Sequence, residues 1–206
     1  MGLADAGRVH RDDGPLVAVA TGVRAPASSL PLQLAGLVLL AAGLAADTWW
    51  GPNGRLGVAA VAGVAAFVAC GVLSSVAAPT ARLGWLVPPL IRAGEYGFIA
   101  WSGWRLTAGA AVYALAAALA YHHYDLVYRL RYRGMAPPHW LTLLGGGWDL
   151  RLAVLVLAGL GGWYRPATVA MAVWCGCLYG FESVRSWLLA DPAGSPVPVA
   201  DDIGDG

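Results

Sequence analysis

Two apolar stretches, residues 30–50 and 56–78, follow one another with only the turn "GPNG" (51–54) between them. Each is as long as the run of about 20 residues that a helix needs to cross the hydrocarbon of a bilayer. Four further segments continue the pattern, at 88–104, 106–131, 150–164 and 166–190. The third opens on Pro88 and Pro89 and carries Arg92 and Glu95 in its first two turns. After Gly109 the fourth contains neither Gly nor Pro, so it continues as a helix through "HHYDLVYRLR" (122–131). The sixth begins at Pro166, a favoured first helical position. A soluble fold would need charge to coat its surface, yet 12% of the 206 residues are charged and 58% are hydrophobic, against about 25% charged in globular domains. The expected fold is all-α: a polytopic transmembrane helical bundle of about six spans over residues 30–190. Residues 1–29 and 191–206, rich in Pro, Gly and Asp without periodicity, are expected to be disordered tails, the second acidic.

Orientation follows from arginine, the chain's only cationic side chain apart from histidine. With six spans and both termini cytoplasmic, the inner side receives Arg8, Arg11, Arg24, Arg82, Arg92, Arg129, Arg131, Arg133, Arg151 and Arg185. The outer side keeps Arg55, Arg105 and Arg165. That is the distribution found in short cytoplasmic loops of inner-membrane proteins. Aromatic residues fall where interface belts belong, Trp49, Trp50, Trp101, Trp104, Trp163 and Tyr164 outside, and Trp85, Tyr124, Tyr128, Trp140, Trp148 and Trp187 inside. Arg24 and the apolar run ending "LAADTWW" also fit a secretory leader, but the aromatic pair and the second run that follows favour a retained span. The formal charge of +1 gives no basic surface for nucleic acid. Cys70, Cys175 and Cys177 lie inside apolar runs and read as small buried hydrophobes.

The polar groups concentrate in "YHHYDLVYRLRYRG" (121–134), at the cytoplasmic end of the fourth helix. At 100° per residue His122, Asp125, Arg129 and Arg133 share one stripe, which Ala111, Ala114 and Ala118 continue into the membrane. That small-residue face is expected to pack inward, leaving His123, Tyr124, Tyr128 and Arg131 to meet headgroups. Small residues also recur every four positions at Ala62, Ala66, Cys70, Ser74 and Ala78, and at Ala172, Gly176 and Gly180, as helix contacts in lipid use them. The topology brings three more charged pairs to the same surface: Arg92 with Glu95, Asp149 with Arg151, and Glu182 with Arg185. Ionisable residues inside spans are costly and usually face the bundle interior or a cavity, so these residues are expected to form one patch.

The patch admits several readings. In the structural one, Arg92 with Glu95, Asp125 with Arg129 and Glu182 with Arg185 neutralise one another as i,i+3 or i,i+4 neighbours. In a binding one, Arg92, Arg129, Arg133, Arg151 and Arg185 clamp an anionic lipid headgroup or phosphate, with Asp149 and Glu182 completing the patch. In a catalytic one, Glu95 or Asp125 acts as base and His122 assists. No cofactor is implied; a divalent cation on His122, Asp125, Glu95 and Glu182 is disfavoured by the adjacent arginines. Between the fourth and fifth spans, "PPHWLTLLGGGWD" (137–149) reads as a short interfacial helix, then a glycine hinge, then Asp149 as an N-cap.

At "WLVPPLIRAGEYG" (85–97), "AYHHYDLVYRLRYRGMAPPHWL" (120–141) and "GWDLRLAVL" (147–155) the sequence resembles an uncharacterised actinobacterial membrane module found C-terminal to CDP-alcohol phosphatidyltransferase domains. The likeness covers roughly residues 85–189. It implies a context, the assembly of inositol or other polar-headgroup lipids, and a phosphatidyltransferase of that class as partner. The metal-binding aspartate pattern of those transferases, which begins DGxxAR, has no counterpart here, so the transfer itself is not expected of this chain. A Walker A loop, a GxSxG elbow and an HExxH pair are also missing. The expected protein is thus a multi-pass bacterial inner-membrane protein accessory to phospholipid synthesis. An integral-membrane enzyme acting on a phosphate-bearing lipid or nucleotide-alcohol, and a small-solute transporter, are the alternatives.

Overall fold

The computed structural model describes residues 11–20, 23, 25–77, 83–133 and 137–189, with the side chains of Arg133 and His139 outside that description. Residues 1–10 and the expected C-terminal tail, 191–206, lie outside it as well. Among the described residues all regular structure is helical. The helices are α1 (Pro15–Val19), α2 (Ser29–Trp50), α3 (Val58–Val76), α4 (Val87–Arg105), α5 (Gly109–Tyr128), α6 (His139–Gly145), α7 (Gly147–Leu160) and α8 (Tyr164–Leu188). A 3-10 turn, Gly84–Leu86, leads into α4, and a π-helical turn, Arg129–Arg133, follows α5.

Four helical stretches among the described residues are long and apolar enough to cross a membrane: Ser29–Trp50, Val58–Val76, Trp140–Leu160 and Tyr164–Leu188. In three of these, 33% of the apolar window is buried inside the protein. Leu34, Val38 and Leu39 on α2 and Val173, Trp174 and Phe181 on α8 accordingly stand exposed. Apolar surface on this scale is a liability in water and the normal outer face of a helix in lipid. Helices α4 and α5, with 19 and 20 residues, are equally long. Their polar residues, Arg92, Glu95 and Arg105 in one and His122, His123 and Asp125 in the other, dilute the apolar run.

Short turns reverse the chain between α2 and α3 and between α4 and α5. Between α4 and α5 the chain reverses through Thr107, a non-glycine residue at φ 53°. Leu106 N–H donates to Ser102 O and Ala108 N–H to Gly103 O. The fourth segment therefore starts at Gly109 and not at residue 106. Its far end stays helical through residue 131 as expected, and continues to Arg133, with the backbone widening from α to π winding at Arg129. Helices α2 and α3 meet where glycine allows backbones to touch. A Cβ on Gly43 would strike the backbone of Ala59 and Gly63, and one on Gly36 would strike Cys70 and Phe67. The buried face of α3 is Ala60, Gly63, Val64, Phe67, Gly71 and Ser74, rotated from the stripe of alanines expected from sequence. On α8 the expected Gly176 and Gly180 have no neighbour within reach of an added Cβ.

The apolar core runs the length of the bundle through Phe67, Ile91, Phe98, Leu115, Trp148, Leu152 and Leu155. At one end, Arg105 donates to the carbonyls of Gly51 (3.1 Å) and Pro52 (2.9 Å) and to Asn53 Oδ1 (3.1 Å), near the buried Asp47. Trp101 Nε1 donates to Thr48 there, and Ser102 and Tyr164 hydroxyls share a hydrogen bond. The exposed Trp49, Trp50, Trp104 and Trp163 surround this end.

The glycine run 145–147 is a break between two helices. Gly146 (φ 76°) caps α6 in the left-handed conformation, and Gly147 (φ 59°) opens α7 in the same region. Asp149 is therefore not an N-cap; it sits in the first turn of α7. The apolar helix on both sides of the break makes Trp140–Leu160 a single 21-residue stretch, longer than the fifth span expected at 150–164.

Candidate functional site

Residues 11–19, assigned from sequence to a disordered tail, pack against the other end of the bundle. Asp12 is buried in the left-handed region (φ 54°), a conformation that costs an L-residue about 1–2 kcal/mol, less for Asp because its side chain bonds locally. Gly14 approaches Gly146 and Gly147 so closely that a Cβ on it would collide with the Gly146 carbonyl and the Asp149 carboxylate. In this position Trp148 N–H donates to Asp12 O (3.3 Å), and Trp148 Nε1 donates to Asp13 Oδ1 (2.9 Å). Asp149 Oδ2 accepts the Val17 N–H (3.0 Å), so a carboxylate from α7 satisfies a first-turn donor of α1 that its own helix leaves unbonded. Arg11 Nη2 reaches α3, donating to Gly71 O (2.9 Å) and Ser74 Oγ (3.0 Å), while its Nε pairs with Asp13.

Asp12 is the centre of the site. Its carboxylate lies 2.8 Å from Arg151 Nη2 on α7, 3.4 Å from His122 Nε2 and 3.7 Å from His123 Nε2 on α5, and 3.8 Å from Arg92 Nη1 on α4. Arg151 is the hub: its Nε donates to Glu95 Oε1 (2.7 Å), and its Nη1 donates to Gly145 O (3.2 Å) and the Tyr179 hydroxyl (3.3 Å). Glu95 Oε2 is also 3.4 Å from Arg92. The Tyr179 ring stacks on His122 at 3.9 Å, and Tyr96 shares a 3.0 Å hydrogen bond with His123 Nδ1. Burial alone would raise the Asp12 pKa, but the Arg151 guanidinium, with the His122 and His123 rings beside it, holds it well below the usual carboxylate value. For Asp13 burial wins over Arg11 and Trp148, and its pKa is raised.

A second cluster lies at the junction of α5 and α8. Arg129 Nε is 2.7 Å from Asp125 Oδ2, and its Nη1 is 3.3 Å from Glu182 Oε1. Arg185, 47% exposed at its side chain, pairs with the other Glu182 oxygen at 3.3 Å. Arg129 is buried, yet its Nη2 has no hydrogen-bond partner among the described residues.

The sequence-derived patch is thus two clusters. Arg92, Glu95, His122 and Arg151 gather around Asp12, and Asp125, Arg129, Glu182 and Arg185 gather around Arg129. Asp149 belongs to neither and binds α1, and the Arg133 side chain lies outside the described residues. The three local pairs, Arg92–Glu95, Asp125–Arg129 and Glu182–Arg185, all form. His123, expected to face headgroups, turns inward to Asp12 and Tyr96. Glu95, His122 and Asp125, considered as catalytic groups, direct their polar atoms to Arg151, Asp12 and Arg129 respectively, an arrangement built for pairing charge. The four side chains considered for a cation divide between the clusters, and among the described residues no three His, Cys, Asp or Glu side chains gather to hold one. Asp12 and Asp13, and the contacts of Arg11, join the site from a segment that composition marks only as a polar tail. Their signal was "RDDGPLVAV" (11–19), where charges precede a Gly-Pro helix start and a short apolar run.

A family model described as "Family of unknown function (DUF5941)" matches residues 3–205. The match takes in α1 to α3, beyond the segments that carry the resemblance to the actinobacterial module. No curated protein and no solved structure matches the chain.

Proposed function

We propose that this chain, which belongs to the DUF5941 family, is a multi-pass inner-membrane protein that receives an anionic lipid headgroup at the ionised end of its bundle. In this reading α4 and α5 also cross the bilayer, since helices of 19 and 20 residues span about 30 Å at 1.5 Å per residue. Six spans then put both termini in the cytoplasm, with the arginine-rich ends of α4, α5, α7 and α8 beside them. The resemblance to modules appended to CDP-alcohol phosphatidyltransferases supports a role accessory to phospholipid or other polar-headgroup lipid synthesis, with such an enzyme as partner.

The observation that carries the reading is Arg129. A buried guanidinium with an unpartnered Nη2 is expensive unless something accepts its hydrogen bond. The half-exposed Arg185 and exposed Arg131 stand on the same helix ends and supply further charge for a phosphate oxygen. Mass spectrometry of lipids that co-purify with the chain tests it. Anionic phospholipids are expected to be enriched over their share of the membrane, and Arg129→Ala to lose most of that enrichment while the protein still folds. Equal lipid profiles for the two proteins would refute the headgroup site. Co-purification with a CDP-alcohol phosphatidyltransferase from the native membrane tests the partner.

A further inference from the structure

We propose that the Asp12 carboxylate occupies a second anion site, built for a phosphate group, and that the segment 11–19 vacates it when such a ligand binds. This goes beyond the headgroup reading, because it concerns a different cluster and stands whether or not Arg129 binds lipid.

Four donors from three helices converge on this one carboxylate: Arg151 Nη2, Arg92 Nη1, His122 Nε2 and His123 Nε2. Only Arg151 does so at an ideal distance, 2.8 Å. The other three, at 3.4 to 3.8 Å, are too far for well-formed hydrogen bonds. His123 Nε2 is buried with no hydrogen-bond partner among the described residues. A carboxylate presents its acceptor sites in one plane, and of the donors arriving from α4, α5 and α7 it meets only Arg151 at short range. A tetrahedral phosphate has more acceptors and spreads them in three dimensions, so it can shorten the long contacts while keeping the one to Arg151. Glu95, on Arg151 Nε, fixes the guanidinium with its Nη2 directed at the site.

The occupant's apolar anchorage is slight, with Val17 packed half-buried against the core. Helix α1 has no buried residue, and Val19 is 82% exposed. The segment is held by ion pairs and hydrogen bonds through Arg11, Asp12, Asp13 and Val17, and Asp12 sits in a left-handed conformation that departure would relax. Interactions of that kind exchange readily for those of a competing anion. The inner wall of the site, by contrast, is made of the long helices and stays when the segment leaves.

Hydrogen–deuterium exchange of the full chain in phosphatidylcholine nanodiscs tests the proposal. Inorganic phosphate, with chloride at matched ionic strength as control, is expected to speed exchange of residues 11–19 and of the Trp148 amide severalfold. Nanodiscs containing phosphatidic acid form the second arm. A response to inorganic phosphate assigns a soluble phosphate ligand, and a response confined to phosphatidic acid assigns a lipid headgroup. Asp12→Ala is expected to bind radiolabelled phosphate, or retain phosphatidic acid, at least tenfold more tightly than the wild type. Wild-type exchange that neither probe changes overturns the proposal, whatever the variant does. So does a folded Asp12→Ala that binds neither probe more tightly, since Asp12 would then be a permanent clamp.

Discussion

Glu95 and Arg185 are both ion-paired, but they differ in what the loss of a partner leaves behind. Arg151 is fully enclosed between Glu95 and Asp12, so Glu95→Gln leaves Arg151 and Arg92 to share the one remaining buried carboxylate and is expected to cost about 3–5 kcal/mol in denaturant unfolding in detergent. Arg185 is half-exposed, and water replaces its partner, so Arg185→Ala should cost under about 1 kcal/mol. Similar losses for the two would mean that the Arg151 hub is open to solvent. Asp12 adds a pH dependence with a definite sign. Its folded pKa lies well below the ordinary 3.8, so its contribution to docking α1 is complete above that value and is lost as pH falls through the lowered one. Asp13, with its pKa raised, works the other way and favours the folded state most at low pH. Docking through Asp12 should therefore persist between about pH 7 and pH 5, read by exchange of the Trp148 amide corrected for its intrinsic rate. Loss of protection already near pH 5 would contradict the Arg151 pairing.

Helix α1 is an element whose position depends on another element's backbone. Its short length and lack of buried side chains would not keep it folded alone. Gly14 and the left-handed Gly146 and Gly147 let it come close enough for Asp149 to take the Val17 N–H. Gly14→Ala adds one methyl group where the Asp149 carboxylate and Gly146 carbonyl already stand. It is expected to undock residues 11–19, raising their exchange at least tenfold, while α2 to α8 keep their protection. Unchanged exchange would mean that the segment has another way to seat.

For the whole molecule, the proposed six-span arrangement leads to a topology that can be measured. Single cysteines introduced at Tyr132 and Leu188, both exposed at the ionised end, in a background without Cys70, Cys175 and Cys177, should be shielded from a membrane-impermeant maleimide in intact cells. Trp50→Cys and Trp163→Cys, exposed at the other end, should react. Labelling of both sets alike would remove the six-span arrangement, and labelling in the reverse sense would place the ionic clusters outside the cell.

Hydrophobic run length and the spacing of Gly and Pro located α2, α3 and α8 to within a few residues, because a bilayer-length apolar run has few other fates. Spacings of three and four were enough to pair Arg92 with Glu95, Asp125 with Arg129 and Glu182 with Arg185, since both members share one helix face. What sequence could not reveal depended on residues far apart in the chain. Asp12 stands 139 positions from Arg151, and nothing local marks it as buried. His123 turns inward because Asp12 and Tyr96 are there to receive it, a reason absent from its own helix. The division of one expected patch into two clusters has the same origin. Helix faces can be read from periodicity, but which faces meet, and which single carboxylate they enclose, is decided only when the helices pack.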